Sequence, residues 1–369
     1  MRTRDAVIEY QKTLDNAGTL IKDMDLVDPV SALYLEFEAT NGSISNLGNW
    51  LSDVITKVEI VDGSEVLYAL NLSQLEALHF YKLGKTPPLF PSEWPDGTSR
   101  HGCLLLFGRY LWDQEYAMDF TKFRNPQLKI TSNLAAITPV SATTAFITGS
   151  LKATIVAKMM ENVGKPSKYL MSKQVDSFTT ATGEKRIELP TDLIYRLMML
   201  RVAARYSDID LTISNLKLTC DTDKFIPFNR KVKQLDAEAF TLFGASRLKH
   251  DIFAAYNSEV EILHHKEPDC RIWGEQQVPG YYYLIAYQWS GRLKIRMFDH
   301  TGTSVGTAHK VNMVEEGHSL HGTLPIPFGI MSLPTTWFDP KPYKKIEAVL
   351  TQDTAAHACE ICLEQERPL

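Results

Sequence analysis

The sequence has no basic arm, no cysteine framework and no long apolar run, and each absence removes a class of function. Lysine and arginine number 39 against 44 aspartate and glutamate, a net charge of −5. A protein that wraps naked nucleic acid usually carries a basic arm or stripe. Here the opening Met1-Arg-Thr-Arg4 is only mildly basic, so no direct sequence-specific nucleic-acid contact is expected. The five cysteines, Cys103, Cys220, Cys270, Cys359 and Cys362, are odd in number and lack a framework spacing. That argues against a secreted disulfide scaffold and predicts reduced thiols in a cytoplasm. Asp5 and Glu9 interrupt the opening stretch, so no signal peptide is expected. No run reaches the roughly 18 consecutive apolar residues of a spanning helix.

Chemical motifs are equally scarce. There is no Gly-x-Ser-x-Gly elbow and no Cys–His signature. Lys165 follows Gly164 but lacks the first glycine of a phosphate-binding loop. Cys359-Glu-Ile-Cys362 has no second ligand pair for zinc, although His357 is close. It alternates like a strand, with Cys359, Ile361 and Leu363 on one face and Cys362 on the other. In Gly317-His-Ser-Leu-His-Gly322 the spacing is His-x-x-His, with Glu315 and Glu316 before it. A metal-dependent double barrel wants His-x-His followed by Glu, so turn or loop histidines are expected. Asp62-Gly63 and Asp221-Thr-Asp223 lie between strand signals and read as hairpin turns rather than a calcium loop. Tyr281-Tyr-Tyr283, Tyr287 and Trp289 share one strand face, which suits sheet core or a subunit contact better than a sugar platform. No catalytic residue, cofactor or metal is assigned.

What the sequence does contain is strand signal. With 369 residues, 44% hydrophobic and 22% charged, it suits two globular domains of about 150–200 residues. Ser31-Ala-Leu-Tyr-Leu-Glu-Phe-Glu-Ala39 alternates, with Leu33, Leu35 and Phe37 on one face. Similar runs lie at 55–61, 127–131, 146–157, 211–220, 281–289, 293–298, 346–351 and 358–364, separated by Gly, Pro, Asn and Asp. Many short strands with turn punctuation predict sandwiches or barrels. One helix is predicted at the start: Val7, Tyr10 and Leu14 fall at helical spacing between Asp5 and Asn16, and Gly18 ends it. This amphipathic element, residues 1–19, is the candidate interface.

An internal repeat organises the rest. Residues 55–71 align without a gap on 213–229: Ile55, Val58, Ile60, Leu67, Leu70 and Asn71 meet Ile213, Leu216, Leu218, Phe225, Phe228 and Asn229. Downstream, Leu75, Ala77, Phe80 and Gly84 recur as Leu235, Ala237, Phe240 and Gly244. Upstream, the strand at 32–39 has a counterpart at 195–204. A gapped echo sets Phe107-Gly108, Phe123-Arg-Asn-Pro126 and Leu128-Lys-Ile130 beside Phe328-Gly329, Phe338-Asp-Pro340 and Tyr343-Lys-Lys-Ile346. A period near 160 residues is too long for a solenoid or propeller blade and fits a duplicated domain. The join is expected at Gly164-Lys-Pro166.

The duplicated pattern resembles the double jelly-roll major capsid proteins of tailless, often membrane-containing viruses, the lineage of adenovirus hexon and the corticovirus-like and tectivirus-like phage coats. The resemblance rests on the element that ends Asn71, Leu75, Phe80, Gly84 and its copy Asn229, Leu235, Phe240, Gly244. It rests also on the stretch from Phe107 through Asp113, Tyr116 and Asp119 to Ile130, and on the closing strand Ile361–Arg367. It implies an all-β chain of two eight-stranded jelly rolls, residues 20–163 and 164–369, with short helices and no hexon-like towers. It also implies a non-enzymatic homotrimer in a virion, assembled in host cytoplasm. Its partners would be neighbouring capsomers, penton or minor capsid proteins and an inner membrane. The rival reading is a two-domain β-sandwich or bicupin-like enzyme, or a carbohydrate-binding protein, on the same scaffold.

Overall fold

The computed structural model describes residues 1–43, 46, 50–137, 145–203, 209–254, 258–260, 266–274, 282–289, 292–299, 301, 303–304 and 309–369. Between 252 and 311, side chains are described only at 301, 303 and 304. The first half runs β1 (Arg2–Thr13), β2 (Ala17–Asp23), β3 (Val30–Thr40), α1 (Leu51–Val54), β4 (Ile55–Asp62), β5 (Glu65–Leu70) and α2 (Leu72–Leu83). It continues with β6 (Leu89–Phe90), β7 (Thr98–Leu106), β8 (Pro126–Asn133) and β9 (Lys152–Glu161). The second half opens with β10 (Lys168–Thr179), β11 (Gly183–Leu189), β12 (Ile194–Val202), α3 (Ile209–Thr212), β13 (Ile213–Cys220), β14 (Phe225–Lys231) and α4 (Val232–Phe243). After β15 (Ser246–Ala254), β16 (Ser258–Val260), β17 (Lys266–Gly274), β18 (Tyr282–Trp289), β19 (Arg292–Asp299) and β20 (His309–His318), it closes with β21 (Thr323–Pro327), β22 (Ile346–Gln352) and β23 (Ala358–Pro368).

Eight strands of each half correspond one to one. The first pairs β1-β9-β3-β7 in one sheet and β2-β8-β4-β5 in the other; the second pairs β10-β23-β12-β21 and β11-β22-β13-β14. Each is an eight-stranded jelly roll in which alternate side chains fill the space between two sheets. On β3, Leu33, Leu35 and Phe37 point in and are fully buried, while Tyr34, Glu36 and Glu38 are only half-buried. Even the irregularities recur. A bulge at Val30/Ala32 on β3 is matched at Tyr195/Leu197 on β12. One at Ile55/Lys57 on β4 is matched at Ile213/Asn215 on β13, and one at Val7/Glu9 on β1 at Gln174/Asp176 on β10. A bulge inserts one residue at a fixed place, so these matches set the residue equivalence.

That equivalence corrects the alignment beyond the first strand of the repeat. β4 turns into β5 through Gly63-Ser64, but β13 turns into β14 through Asp221-Thr-Asp-Lys224. Asp221, Thr222 and Asp223 all take positive φ to make this wider turn. After it the offset grows by two: Val58 pairs with Leu70 where Leu216 pairs with Arg230. Asn71 therefore corresponds to Lys231, not Asn229, and both are helix N-caps. The gapped echo holds at Phe107 and Phe328, whose amides donate to Ser31 and Arg196 carbonyls at 3.0 Å each. It fails beyond: Phe338 bridges Tyr195 where Met118 bridges Val30, and Ile130 has Leu350 as its counterpart.

The N-terminal helix is not formed. Residues 2–13 are β1, hydrogen-bonded along β9 as a strand of the first roll. The β-branched Thr3, Val7, Ile8 and Thr13 favour the pleated state, and the long partner β9 overrides a helical spacing seen at only three positions. The second roll also carries an addition not foreseen. β15-β20-β17 and β16-β19-β18 form two three-stranded sheets between α4 and β21, where the first roll has only the short β6 between α2 and β7. The runs at 281–289 and 293–298 belong to this insertion, not to the roll. Its β15 rests on the first roll through Asp251, which exchanges backbone bonds with Pro91 and Glu93.

Candidate functional site

The rolls are joined at a seam that begins with a helix cap. Asn71 Oδ1 accepts the Gln74 amide at 2.9 Å and Gln74 Oε1 accepts the Asn71 amide at 3.0 Å, a capping box that starts α2. Gly84 ends it with φ of +62°, a conformation that glycine adopts without a Cβ penalty. Leu75 and Phe80 are buried beneath it. Alongside, Ala69 on β5 pairs in parallel with Lys173 on β10, so one sheet of each roll becomes a continuous eight-stranded sheet.

The outer face of α2 is polar and packs on β23 and β10 of the second roll. Asn71 Nδ2 and Gln74 Nε2 donate to Glu360 at 3.1 and 2.7 Å, and Gln74 also reaches Gln174 at 2.7 Å. Arg201 pairs with Glu360 at 2.9 Å. Lys82 Nζ sits 2.5 Å from Glu364, which Arg196 also grips. Burial raises the Glu364 carboxyl, but Arg196 and Lys82 outweigh it and the net shift is downward. Burial lowers the Lys82 ammonium to about 8 against the pull of Glu364. Glu76 is held between His101 Nδ1 at 3.0 Å and His321 Nε2 at 2.5 Å. Burial pushes its carboxyl up, and the two imidazoles bring it to about 2. These partners are committed to one another and to packing, and they tie the first roll's helix to the second roll.

The sequence-derived candidates divide on inspection. Val7 and Tyr10 are 64% and 75% exposed on β1, whereas Leu14 is 4% exposed and in the core. Asn229 lies on β14 and accepts from Asn215 Nδ2 at 2.8 Å. Leu235 is buried under α4, and Gly244 closes that helix with φ of +73°. Phe240 breaks the analogy with Phe80. It is 47% exposed, because the second roll's helix has no further roll packed over it. His318 and His321 are not loop bystanders: His318 meets Asp236 at 2.9 Å, and His321 is the partner of Glu76. Cys359 and Cys362 are buried on opposite faces of β23, one in each core cluster. Asp62 accepts the amides of Arg124 and Asn125, and Asp221 those of Lys344 and Lys345, as turn residues do. The side chains of the aromatic run at 281–289, of Cys270, and of the histidines at 264, 265, 300 and 309 lie outside the described residues. Among the described residues no group of three or more His, Cys, Asp or Glu could hold a metal ion, and no helix is long and apolar enough to cross a membrane.

Sequence reading missed the seam itself. Its signal was present as charge inside apolar strands: Arg196 and Arg201 within Ile194–Val202, and Glu360 and Glu364 within the closing strand.

The second roll presents an open version of this surface. Leu242 and Phe240 on α4, and Phe225 and Ile226 on β14, are exposed. A groove of about 180 Å³ runs between α4, β14 and β21, lined by Phe228, Leu235, Ala239, Leu242 and Pro325–Pro327. Beside it Phe225, Tyr343, Phe338 and Phe328 stack in a ladder with centroid spacings of 5.7, 5.9 and 5.6 Å.

No protein-family model matches the sequence, and no curated protein sequence matches it. Solved structures do match along nearly the full chain. The STIV MCP, of Sulfolobus Turreted Icosahedral Virus, superposes with a TM-score of 0.59 at 9% identity, covering 99% of this chain and 96% of that one. The major capsid protein P2 from Bacteriophage PM2 gives 0.53 at 10% identity, covering 100% and 98%. The PBCV-1 virus capsid gives 0.56 at 9% identity, covering 99% and 93%. The chain has the double jelly-roll fold found in these viral major capsid proteins.

Proposed function

We propose that this chain is the major coat subunit of a tailless icosahedral virion, acting as a homotrimer and doing no chemistry. The observation that carries the reading is the duplicated roll joined into one continuous sheet. Two equivalent rolls joined by a continuous sheet and a buried ion-pair seam make one rigid block. Three such blocks around a threefold axis present six near-equivalent walls, which tile a hexagonal lattice. The rolls divide in the segment containing Gly164-Lys-Pro166. Neighbouring capsomers and penton or minor capsid proteins are the partners, in a virion assembled in host cytoplasm. With a net charge of −5, the coat meets its genome through an intervening inner membrane or minor protein rather than directly. The metal-dependent double-barrel alternative loses support because His318 and His321 are bound to Asp236 and Glu76.

Sedimentation of the purified chain, followed by negative-stain microscopy, tests the reading. A three-copy particle with a six-lobed outline is expected. A protein that stays monomeric at all accessible concentrations overturns it.

A further inference from the structure

Helix α2 grips the edge of β7 through three side chains, and a proton abolishes one of the three bonds. β6 covers that edge only as far as Gly102. Leu89 and Phe90 pair with His101 and Arg100, and the Gly102 amide donates to Pro88 O at 3.0 Å. Beyond Gly102 no described strand continues along this edge. Residues two apart on a strand turn their backbone groups the same way, so Leu104 and Leu106 present theirs to the uncovered edge. α2 supplies the missing partners. His79 Nδ1 accepts the Leu104 amide at 2.8 Å, and Lys82 Nζ donates to Leu106 O at 3.0 Å. One turn earlier, Glu76 Oε1 accepts from His101 Nδ1 at 3.0 Å. Glu76, His79 and Lys82 stand three residues apart and share one face of the helix.

Charge state decides which of these bonds survive in acid. His101 donates to Glu76 from Nδ1 whether its ring is neutral or charged, and Lys82 donates to Leu106 as amine or ammonium. His79 alone must offer a lone pair. A protonated imidazole has two donors and no acceptor, so it sets one N–H against another and leaves the Leu104 amide without its partner. The neighbouring groups do not reverse this. Burial holds the His79 ring at about 4, against the pull of the Glu76 carboxylate. Lys82 is engaged by Glu364, and His321 of the second roll is turned to Glu76. The Cys103 thiol on β7 is pushed up by burial and stays neutral; α1 adds Asp53.

α2 is also the helix that ties the rolls together, through Asn71 and Gln74 to Glu360 and through Lys82 to Glu364. We propose that His79 is a proton-operated release: in acid its ring lets go of β7, α2 loosens on that edge, and the first roll uncouples from the second before either unfolds. The sign follows from proton binding. Between pH 6.5 and 4 the released state holds a proton on His79 that the closed state does not. Release is therefore favoured as pH falls, by about tenfold per pH unit, and the closed state keeps its full advantage above 6.5. Glu76, brought to about 2, stays ionised throughout this window. A coat subunit built this way holds together at neutral pH and yields at its internal seam in acid. The release lies within one chain and does not depend on how many copies assemble.

Scanning calorimetry of the full chain tests the release. Above pH 6.5 the two rolls should unfold in one transition, and near pH 4 in two. His79→Asn puts a side-chain oxygen near the place of Nδ1, where it accepts the Leu104 amide at any pH, so this variant should keep one transition under both conditions. Amide exchange gives a second readout. Exchange of the Leu104 amide, relative to its intrinsic rate, should rise by about tenfold per pH unit as the wild type is acidified through this window, and His79→Asn should lose that slope whatever its overall stability. A single wild-type transition at every pH overturns the proposal, as do two transitions already present above pH 6.5. So does an acid-induced split, or an exchange slope, that His79→Asn retains. If His79→Asn does not fold, the wild-type transitions decide alone.

Discussion

Lys82 on the first roll's helix and Glu364 on the last strand of the second, 282 residues apart in sequence, lie 2.5 Å apart with both side chains buried. The pair, with Arg196 on the other carboxylate oxygen, fixes how one roll sits on the other. Within the seam, removing the shared anion should be the most damaging change. Glu364→Ala leaves two buried cations uncompensated and should cost roughly 3–5 kcal/mol. Lys82→Met leaves Glu364 with Arg196 and should cost less, about 1–3 kcal/mol. Urea unfolding measures both; wild-type midpoints in the two variants would mean the seam does not hold the rolls.

Phe80 and Phe240 hold equivalent places on equivalent helices but are 2% and 47% exposed. Phe80→Ala should cost roughly 3–5 kcal/mol, as for a core aromatic. Phe240→Ala should cost under about 1 kcal/mol when measured at dilutions that keep chains separate. Equal losses at the two sites would contradict the burial difference.

Stability should fall as the solution is acidified, in two windows. His79 accepts the Leu104 amide on Nδ1 at 2.8 Å, and burial lowers its pKa to about 4 from 6.5. Between those values the unfolded chain binds a proton that the folded chain does not, so stability rises with pH there and is lost as pH falls. Glu76, brought to about 2 from 4.5, adds stability that is present above 4.5 and lost toward 2. Thermal melts of wild type and His79→Gln should differ by a constant amount above pH 6.5 and draw together between 6.5 and 4; curves that stay parallel through that window would refute the assignment.

The thiols should be inert in the native protein. Cys103, Cys220, Cys359 and Cys362 are buried. Burial pushes Cys359 up to about 12 and Cys220 up to about 11, which removes the reactive thiolate. A thiol reagent should modify these four only after denaturation. Rapid native labelling at any of them, mapped by peptide mass, would show the strand packing to be wrong.

Much of this was legible in the chain itself. Alternation marked β3, β4, β13 and β23, because a half-buried strand must alternate. The repeat from Ile55 to Val61 and from Ile213 to Thr219 could be aligned because inward positions of a duplicated strand keep their apolar character.

Duplication and β-richness could be read directly from the chain, in the repeated segments at 55–84 and 213–244. Those are local properties, written in period and turn chemistry. The remainder depended on long-range packing. Residues 2–13 became a strand because β9 was there to pair with them, and no spacing within the segment encodes a partner. Asn71 found its counterpart in Lys231 because a wider turn moved the frame by two residues. Arg196, Arg201, Glu360 and Glu364 became a seam because burial makes unpaired charge intolerable, and the pairing that relieves it links residues more than 150 positions apart.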